Sequence, residues 1–161
     1  MTKKLRHHQT CKYHCIEFRR DPSSEDNGVS FVFTSSMREG PDCQTFQIIG
    51  AAMEVHRHLP RGMYEQIYCE ALAVEFTLRK IPFRAQHPLR IVYKGRRLTG
   101  VHHMDFICYD EVVIEVKAVS ALTPADEAQL MNYLAMMGMR RGLLVNFGAK
   151  SLEFKRRVIG D

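Results

Sequence analysis

From Phe46 onward apolar residues recur at helical spacing, with Ile49, Ala52, Met53, His56 and Leu59 on one stripe until Pro60-Arg61-Gly62 interrupts it. A second helix is predicted to run to about Lys80, burying Tyr64, Ile67, Ala71, Val74 and Leu78, which step by three and four; Pro82 ends it. The period then changes. Leu89-Arg90-Ile91-Val92-Tyr93 reads as a strand followed by a Lys94-Gly95 turn, and two more strands follow at about 97–108 and 111–119, implying an antiparallel meander. Thr123-Pro124-Ala125-Asp126 supplies an N-cap, a Pro at the first helical position and a capping-box acid. The third helix so started has Leu130, Leu134 and Met137 as its buried stripe and Gly138 as its C-cap. Gly142 to Phe147 reads as a buried strand, and Leu152 to Ile159 as a strand or short helix. The predicted class is mixed α/β, with core order helix, three strands, helix, strand.

Residues 1–44 break this pattern: basic residues and His mix with the turn-rich Asp21-Pro22-Ser23-Ser24-Glu25-Asp26-Asn27-Gly28, and no helical period is sustained. They read as a poorly ordered extension before a domain at 45–161, and an alternative reading starts translation at Met37. Composition adds less. The 161 residues suffice for one hydrophobic core, and 45% apolar with 25% charged residues is ordinary for a soluble domain. A net charge of +5 favours an anionic partner, of which nucleic acid is the commonest for a small basic protein. Five cysteines at irregular spacing do not read as a disulfide framework, and neither a long apolar run nor a secretory h-region is present. A cytoplasmic protein without a membrane span is the resulting expectation. Cys11 and Cys15 with His7 and His8 fit no regular zinc spacing.

The chemistry concentrates in one stretch. Asp105 stands ten positions before Glu115, and Glu115 and Lys117 share a strand face because successive side chains alternate. With Asp105 on the neighbouring antiparallel strand, two carboxylates and an ammonium converge, a set suited to a hard cation such as Mg2+ with a Lys beside the attacking water. Alternating Glu and Lys also mark the solvated face of an ordinary strand, so the pair alone does not decide.

The order of elements around Asp105 and Glu115-Val116-Lys117 resembles the αβββαβ core of the PD-(D/E)xK nuclease superfamily, the restriction-endonuclease-like fold with a central mixed sheet flanked by helices. More narrowly, residues 46–148 resemble the GxxExxR family of small bacterial proteins. The resemblance rests on residues 48–57 (IIGAAMEVHR), on Gly62, Glu65, Tyr68, Ala71 and Leu72, on Asp105 and residues 115–119 (EVKAV), on Glu127 to Leu130 with Asn132-Tyr133-Leu134, and on residues 142–148 (GLLVNFG). Ala51 stands where the family name asks for Gly, and His102-His103 replace a more usual Arg-Ala-like pair.

What the resemblance implies is metal-dependent phosphodiester hydrolysis in nucleic acid, with DNA ahead of RNA and with homodimers common among small members. Asp105 and Glu115 would ligate Mg2+ or Mn2+, the Val116 carbonyl would be a backbone ligand, and Lys117 would position the water. Glu65 resembles the additional acid that many members bring from a core helix; its bland alternative is an exposed helix acid. Gln129 and Tyr133, four apart and therefore on one helix face, resemble the Gln-x-x-x-Tyr pair of RecB-like nucleases, which lies beside the active site and helps hold nucleic acid or the metal shell; the bland alternative is a helix edge with a buried Tyr ring and a solvated Gln. Arg57 either pairs with Glu54 or contacts phosphate. Arg140-Arg141 and Lys155-Arg156-Arg157 read as an extended phosphate-binding surface or a solvated basic face. The competing function is a catalytically silent protein of the same fold that binds nucleic acid or a protein partner.

Overall fold

A computed structural model describes residues 15–20, 31–36 and 41–160. The chain divides into two units, Met1–Phe46 and Gln47–Asp161. In the first, β1 (Cys15–Arg20) pairs antiparallel with β2 (Phe31–Ser36), in register from Cys15↔Ser36 to Arg20↔Phe31. The sequence pattern of residues 1–44 named no regular element there. Cys43 is disulfide-bonded, against the expectation from cysteine spacing, whereas Cys69 and Cys108 are free and buried. Of the residues weighed for zinc, His7, His8 and Cys11 lie outside those described, as does the Met37 start. No helix among the described residues is long and apolar enough to cross a membrane.

The second unit is built on a five-stranded mixed sheet. After α1 (Pro41–His58) and α2 (Glu65–Leu78) come β3 (Phe83–Tyr93), β4 (Arg96–Cys108), β5 (Val112–Lys117), α3 (Pro124–Met137), β6 (Arg141–Asn146) and β7 (Glu153–Val158). The strands lie in sequence order; only β5 and β6 are parallel, joined by the α3 crossover, and every other neighbour is antiparallel. Two tight turns set the meander. Lys94 and Gly95 have φ of 47° and 76°, positive values that match the strand twist at a two-residue hairpin loop, and Tyr109 and Asp110, both with φ of 56°, turn the same way in the three-residue loop between Cys108 and Val112. Asp110 is a favoured residue in such a turn and Tyr109 is not, yet the break between the predicted strands at about 97–108 and 111–119 falls there.

β3 begins at Phe83, earlier than the predicted Leu89, because Pro88 is tolerated on an edge strand. The last segment resolves as strand β7. α3 starts as predicted: Thr123 accepts from the Asp126 amide while the Asp126 side chain accepts from the Thr123 amide, and Gly138 ends the helix at φ 62°.

The buried faces of α1 and α2 depart from the predicted stripes. α1 buries Ile48, Ala51, Ala52 and Val55, and α2 buries Tyr68, Cys69, Leu72 and Phe76; Tyr64, Val74 and Leu78 are instead 87%, 60% and 71% exposed. Both stripes obey the helical period, and α2 turns Phe76 inward against Phe83 and Phe106, at ring separations of 5.5 and 5.3 Å. Tyr68 stacks on Phe147 at 4.8 Å and donates its hydroxyl to the Pro60 carbonyl at 2.8 Å, a partner the predicted outward face would not provide. α1 and α2 thus pack with Phe106, Ile114, Val116, Leu143 and Val145, while Leu130, Tyr133 and Leu134 of α3 pack with Met104, Ile107, Val113 and Leu144. The sheet is sandwiched. Met104 and Ile107 join the same cluster although three apart, so the two-residue alternation of β4 slips at Asp105.

Beyond β5 and β6 the chain ends are tied together. The buried Asn146 side-chain oxygen accepts from the Val119 and Gly148 amides, both at 3.0 Å, and the Phe147 amide donates to the Lys117 carbonyl at 2.8 Å. A Cβ on Gly148 would lie 2.4 Å from the Val119 carbonyl oxygen and 2.6 Å from its nitrogen, both backbone atoms that cannot swing aside. Gly148→Ala should therefore cost at least about 2 kcal/mol of stability, read as a lower midpoint in thermal unfolding; an unchanged midpoint would show that this junction yields freely.

Candidate active site

β4 and β5 pair only from Phe106↔Ile114 to Cys108↔Val112. At the next step the Asp105 side chain replaces the strand ladder: its Oδ2 accepts from the Val116 amide at 2.8 Å. Glu115, which the register sets opposite Asp105, is 3% exposed, and the Lys117 ammonium donates to its Oε1 at 2.7 Å. Glu115 Oε2 is buried with no hydrogen-bond partner. An unpaired buried oxygen costs about 1–3 kcal/mol. β6 holds this strand end from the other side, pairing Glu115 with Leu144 and Lys117 with Asn146.

Burial governs the titration of the group. Desolvation raises Glu115 to about 7, against the hydrogen bond from Lys117, and the nearby Asp105 and Glu65 charges raise it further. Desolvation also raises Asp105, opposed by the Val116 amide, the Lys117 charge and donors from Gln86 and Cys69. Lys117 is partly desolvated, which lowers it, but the hydrogen bond and charge of Glu115 with the charges of Glu65 and Asp105 outweigh this and hold it above its ordinary value. Lys117 is an ammonium at neutral pH.

A cleft of about 480 Å3 opens beside Asp105 between α2 and the β3–β4 pair, with Glu65, Cys69, Gln86 and Asp105 in its wall; Glu115 and Lys117 do not line it. Glu65 is the first residue of α2 and its carboxyl is raised, chiefly by burial; the Lys117 charge opposes this and the Asp105 charge adds to it. The structure therefore brings Glu65 to the same electrostatic neighbourhood as Asp105, Glu115 and Lys117. Asp126 of α3 joins them at longer range, sensing Lys117. Two residues were missed in the sequence. Gln86 Nε2 donates to Asp105 Oδ1 at 3.3 Å from a backbone with φ of 49°, a left-handed conformation inside a strand. The Cys69 thiol also donates to Asp105, and burial holds Cys69 well above the ordinary thiol range. Neither carries a pattern signal; both follow only from strand register and helix rotation.

Gln129 Nε2 donates to the Tyr133 hydroxyl at 2.9 Å, as their four-residue spacing requires, and the Tyr133 ring packs in the α3-side core. The bond joins the two side chains to each other. Arg57 is 70% exposed and pairs with Glu54 at 2.6 Å. It does not line the Asp105 cleft. The C-terminal basic run is largely neutralised: Lys155 and Arg157 both pair with Glu127, and Arg141 pairs with Glu111.

Among the described residues no three or more His, Cys, Asp or Glu side chains form a ready-made metal cage. What the strands present is the Asp105 and Glu115 carboxylates with the Val116 backbone between them, oxygen donors only, one of them buried and unpaired. That set fits Mg2+, which binds through one or two carboxylates and keeps several waters. Cys69, the soft donor beside Asp105, is kept a thiol by burial, so the set offers little to soft or nitrogen-seeking metals.

A family model described as the PD-(D/E)XK nuclease superfamily matches residues 42–158. No curated protein matches the chain. A solved structure titled "Crystal structure of SSO0001" is similar over 73% of this chain and 78% of that one, at 15% identity and a TM-score of 0.39, too low to carry an argument. The αβββαβ core, its mixed sheet and the family match over most of the length agree, and the chain belongs to the PD-(D/E)XK nuclease superfamily.

Proposed function

We propose that this protein is a divalent-metal-dependent nuclease that hydrolyses phosphodiester bonds in nucleic acid, DNA ahead of RNA, and that it stands with the GxxExxR branch of its superfamily. The observation that carries the proposal is Glu115: a desolvated carboxylate with one oxygen on the Lys117 ammonium and the other buried and unpartnered, opposite Asp105. Folding has set an acidic group with one oxygen that the protein's own donors leave unsatisfied, a place that suits a cation.

Asp105, Glu115 and the Val116 carbonyl would hold Mg2+ or Mn2+, with Glu65 reaching it from α2. When bound, such an ion polarises the phosphoryl oxygen and makes water a better nucleophile. The residues do the remainder. The Val116 amide, Gln86 and Cys69 fix the Asp105 carboxylate in orientation. Lys117, kept protonated, has three donors and no acceptor, so it orients the water and offsets charge on the phosphate rather than removing a proton. In this proposal Gln129 and Tyr133 brace the α3 side, and Arg57 is left to its pair with Glu54.

The titration of Glu115 gives a pH signature. Its folded value, about 7, lies above its ordinary 4.5, so between these pH values the folded chain binds more protons than the unfolded one. Metal-free stability contributed by this group should then be complete below about pH 4.5 and fall as pH rises through 7. Metal competes with that proton and should bind more tightly over the same rise. Thermal unfolding without metal from pH 5 to 8 should slope downward in wild type and flatten in Glu115→Gln; parallel profiles would contradict the assignment.

Cleavage of duplex, single-stranded, flap and four-way-junction substrates with Mg2+, Mn2+ or EDTA tests the activity itself. Lys117→Ala should lower cleavage by roughly a hundredfold or more while binding and folding persist. Equal cleavage by wild type and variant would remove Lys117 from the site, and binding without metal-stimulated cleavage would favour the silent protein.

A further inference from the structure

Outside the catalytic cleft, the most unusual feature is how far β3 and β4 run past the rest of the sheet. β5 pairs with β4 only at Phe106 to Cys108, so the chain from Pro88 to His103 is a two-stranded ribbon with no third strand on either side. Every residue from Val92 through His103 is exposed. A ribbon of this kind cannot bury its own faces and normally needs a partner for stability.

Its chemistry identifies the partner. Arg90, Lys94, Arg96 and Arg97 lie on the ribbon with His102 and His103, and no Asp or Glu occurs between Glu75 and Asp105. Among the described residues none of Arg90, Arg96 and Arg97 forms an ion pair, and Lys94 lies over the exposed Tyr93 ring at 5.6 Å. The basic residues of β7 are the contrast, since Glu127 pairs with two of them. Unpaired cations on a bare ribbon are a surface for a polyanion. Val92, Tyr93, Leu98 and Val101, 48–61% exposed, add apolar contact area among them.

We propose that the β3–β4 ribbon is an arm that grips duplex DNA on one side of the scissile bond. The proposal rests on the nuclease reading and names its substrate form. A two-stranded ribbon fits the major groove of B-form DNA, whereas the major groove of A-form RNA is too deep and narrow to admit it. Single strands are held by rows of stacking aromatics, and the ribbon from Pro88 to His103 has no such row: Tyr93 stands nine and ten positions along the chain from the rings of His102 and His103. The arm is continuous with the site, because β4 carries both Arg97 and Asp105. The strand from Arg97 to Asp105 spans about 26 Å, which is about eight base pairs at ~3.4 Å each.

The test measures binding and cleavage by the full chain with and without Arg90→Gln, Lys94→Gln, Arg96→Gln and Arg97→Gln together. Probes are a DNA duplex reaching well beyond eight base pairs from the cut, an RNA duplex and a single strand of the same sequence, over a salt series. Thermal unfolding verifies folding, and Arg96→Gln with Arg97→Gln alone serves as a second variant at the tip. Duplex-DNA Kd should rise roughly tenfold or more, and the salt slope should fall by about 0.9 for each cation that had engaged a phosphate. Shortening the duplex below about eight base pairs beyond the cut should erase the difference between wild type and variant. Unchanged duplex affinity and slope would overturn the arm, as would an equal loss on RNA or single strands, or lost self-association with DNA binding intact. Metal-stimulated, Lys117-dependent cleavage indifferent to the arm residues would overturn the arm and keep the nuclease; arm-dependent duplex binding without cleavage would do the reverse.

Discussion

The hydrogen bond from the Val116 amide to the Asp105 carboxylate is the joint on which the site depends. It stands where another rung of the β4–β5 ladder would be, so the two strands part there without leaving the Val116 amide unsatisfied. Parting frees the edge on which Glu115 and Lys117 project, while β6 keeps β5 straight to Lys117. The same carboxylate wall belongs to the cleft beneath α2, so one side chain couples sheet geometry to access. An apolar residue at 105 would orphan a buried amide and lose an acid together.

The cost of the arrangement is electrostatic. Glu65, Asp105 and Glu115 are all raised by burial, and Lys117 is the one cation whose charge acts on all three. Such a cluster is poised rather than satisfied: it lacks positive charge, and Glu115 Oε2 shows where. The surrounding core makes the cost bearable, since the α1–α2 layer and α3 clamp β5 from both faces with Ile114 and Val116 turned one way and Val113 the other. The unpaired cations of the β3–β4 ribbon complement this acidic centre, as the proposed hold on a polyanion near carboxylates requires.

Much of this was legible in residues. The capping box at Thr123, the Lys94-Gly95 turn, the Glu-x-Lys strand and the crossover helix with Leu130 and Leu134 all carry local signals, and each lies where predicted. The rotation of α2 was not legible, because Ile67 and Val74 are as apolar as Leu72 and Phe76 and only packing on Phe83 and Phe147 separates them. Gln86 escaped for a geometric reason. Counting back from the Tyr93↔Arg96 pair sets Arg84 opposite Asp105, but an irregularity between Arg90 and Val92 shifts the register and brings Gln86 there instead. Cys69 followed α2: once the helix turns, the thiol reaches Asp105. The roles of Gln129 and Tyr133 came from resemblance, and their observed bond is with each other, whereas the Glu54–Arg57 pair was legible in its three-residue spacing and is observed.

The claim beneath all of this is that folding alone assembles a hard-cation site from Asp105, Glu115 and the Val116 carbonyl. Anomalous scattering from crystals grown with Mn2+ tests it most directly. The account predicts an ion among those oxygens in wild type and none in Asp105→Asn. An ion bound elsewhere, or a site equally filled in the variant, would contradict it.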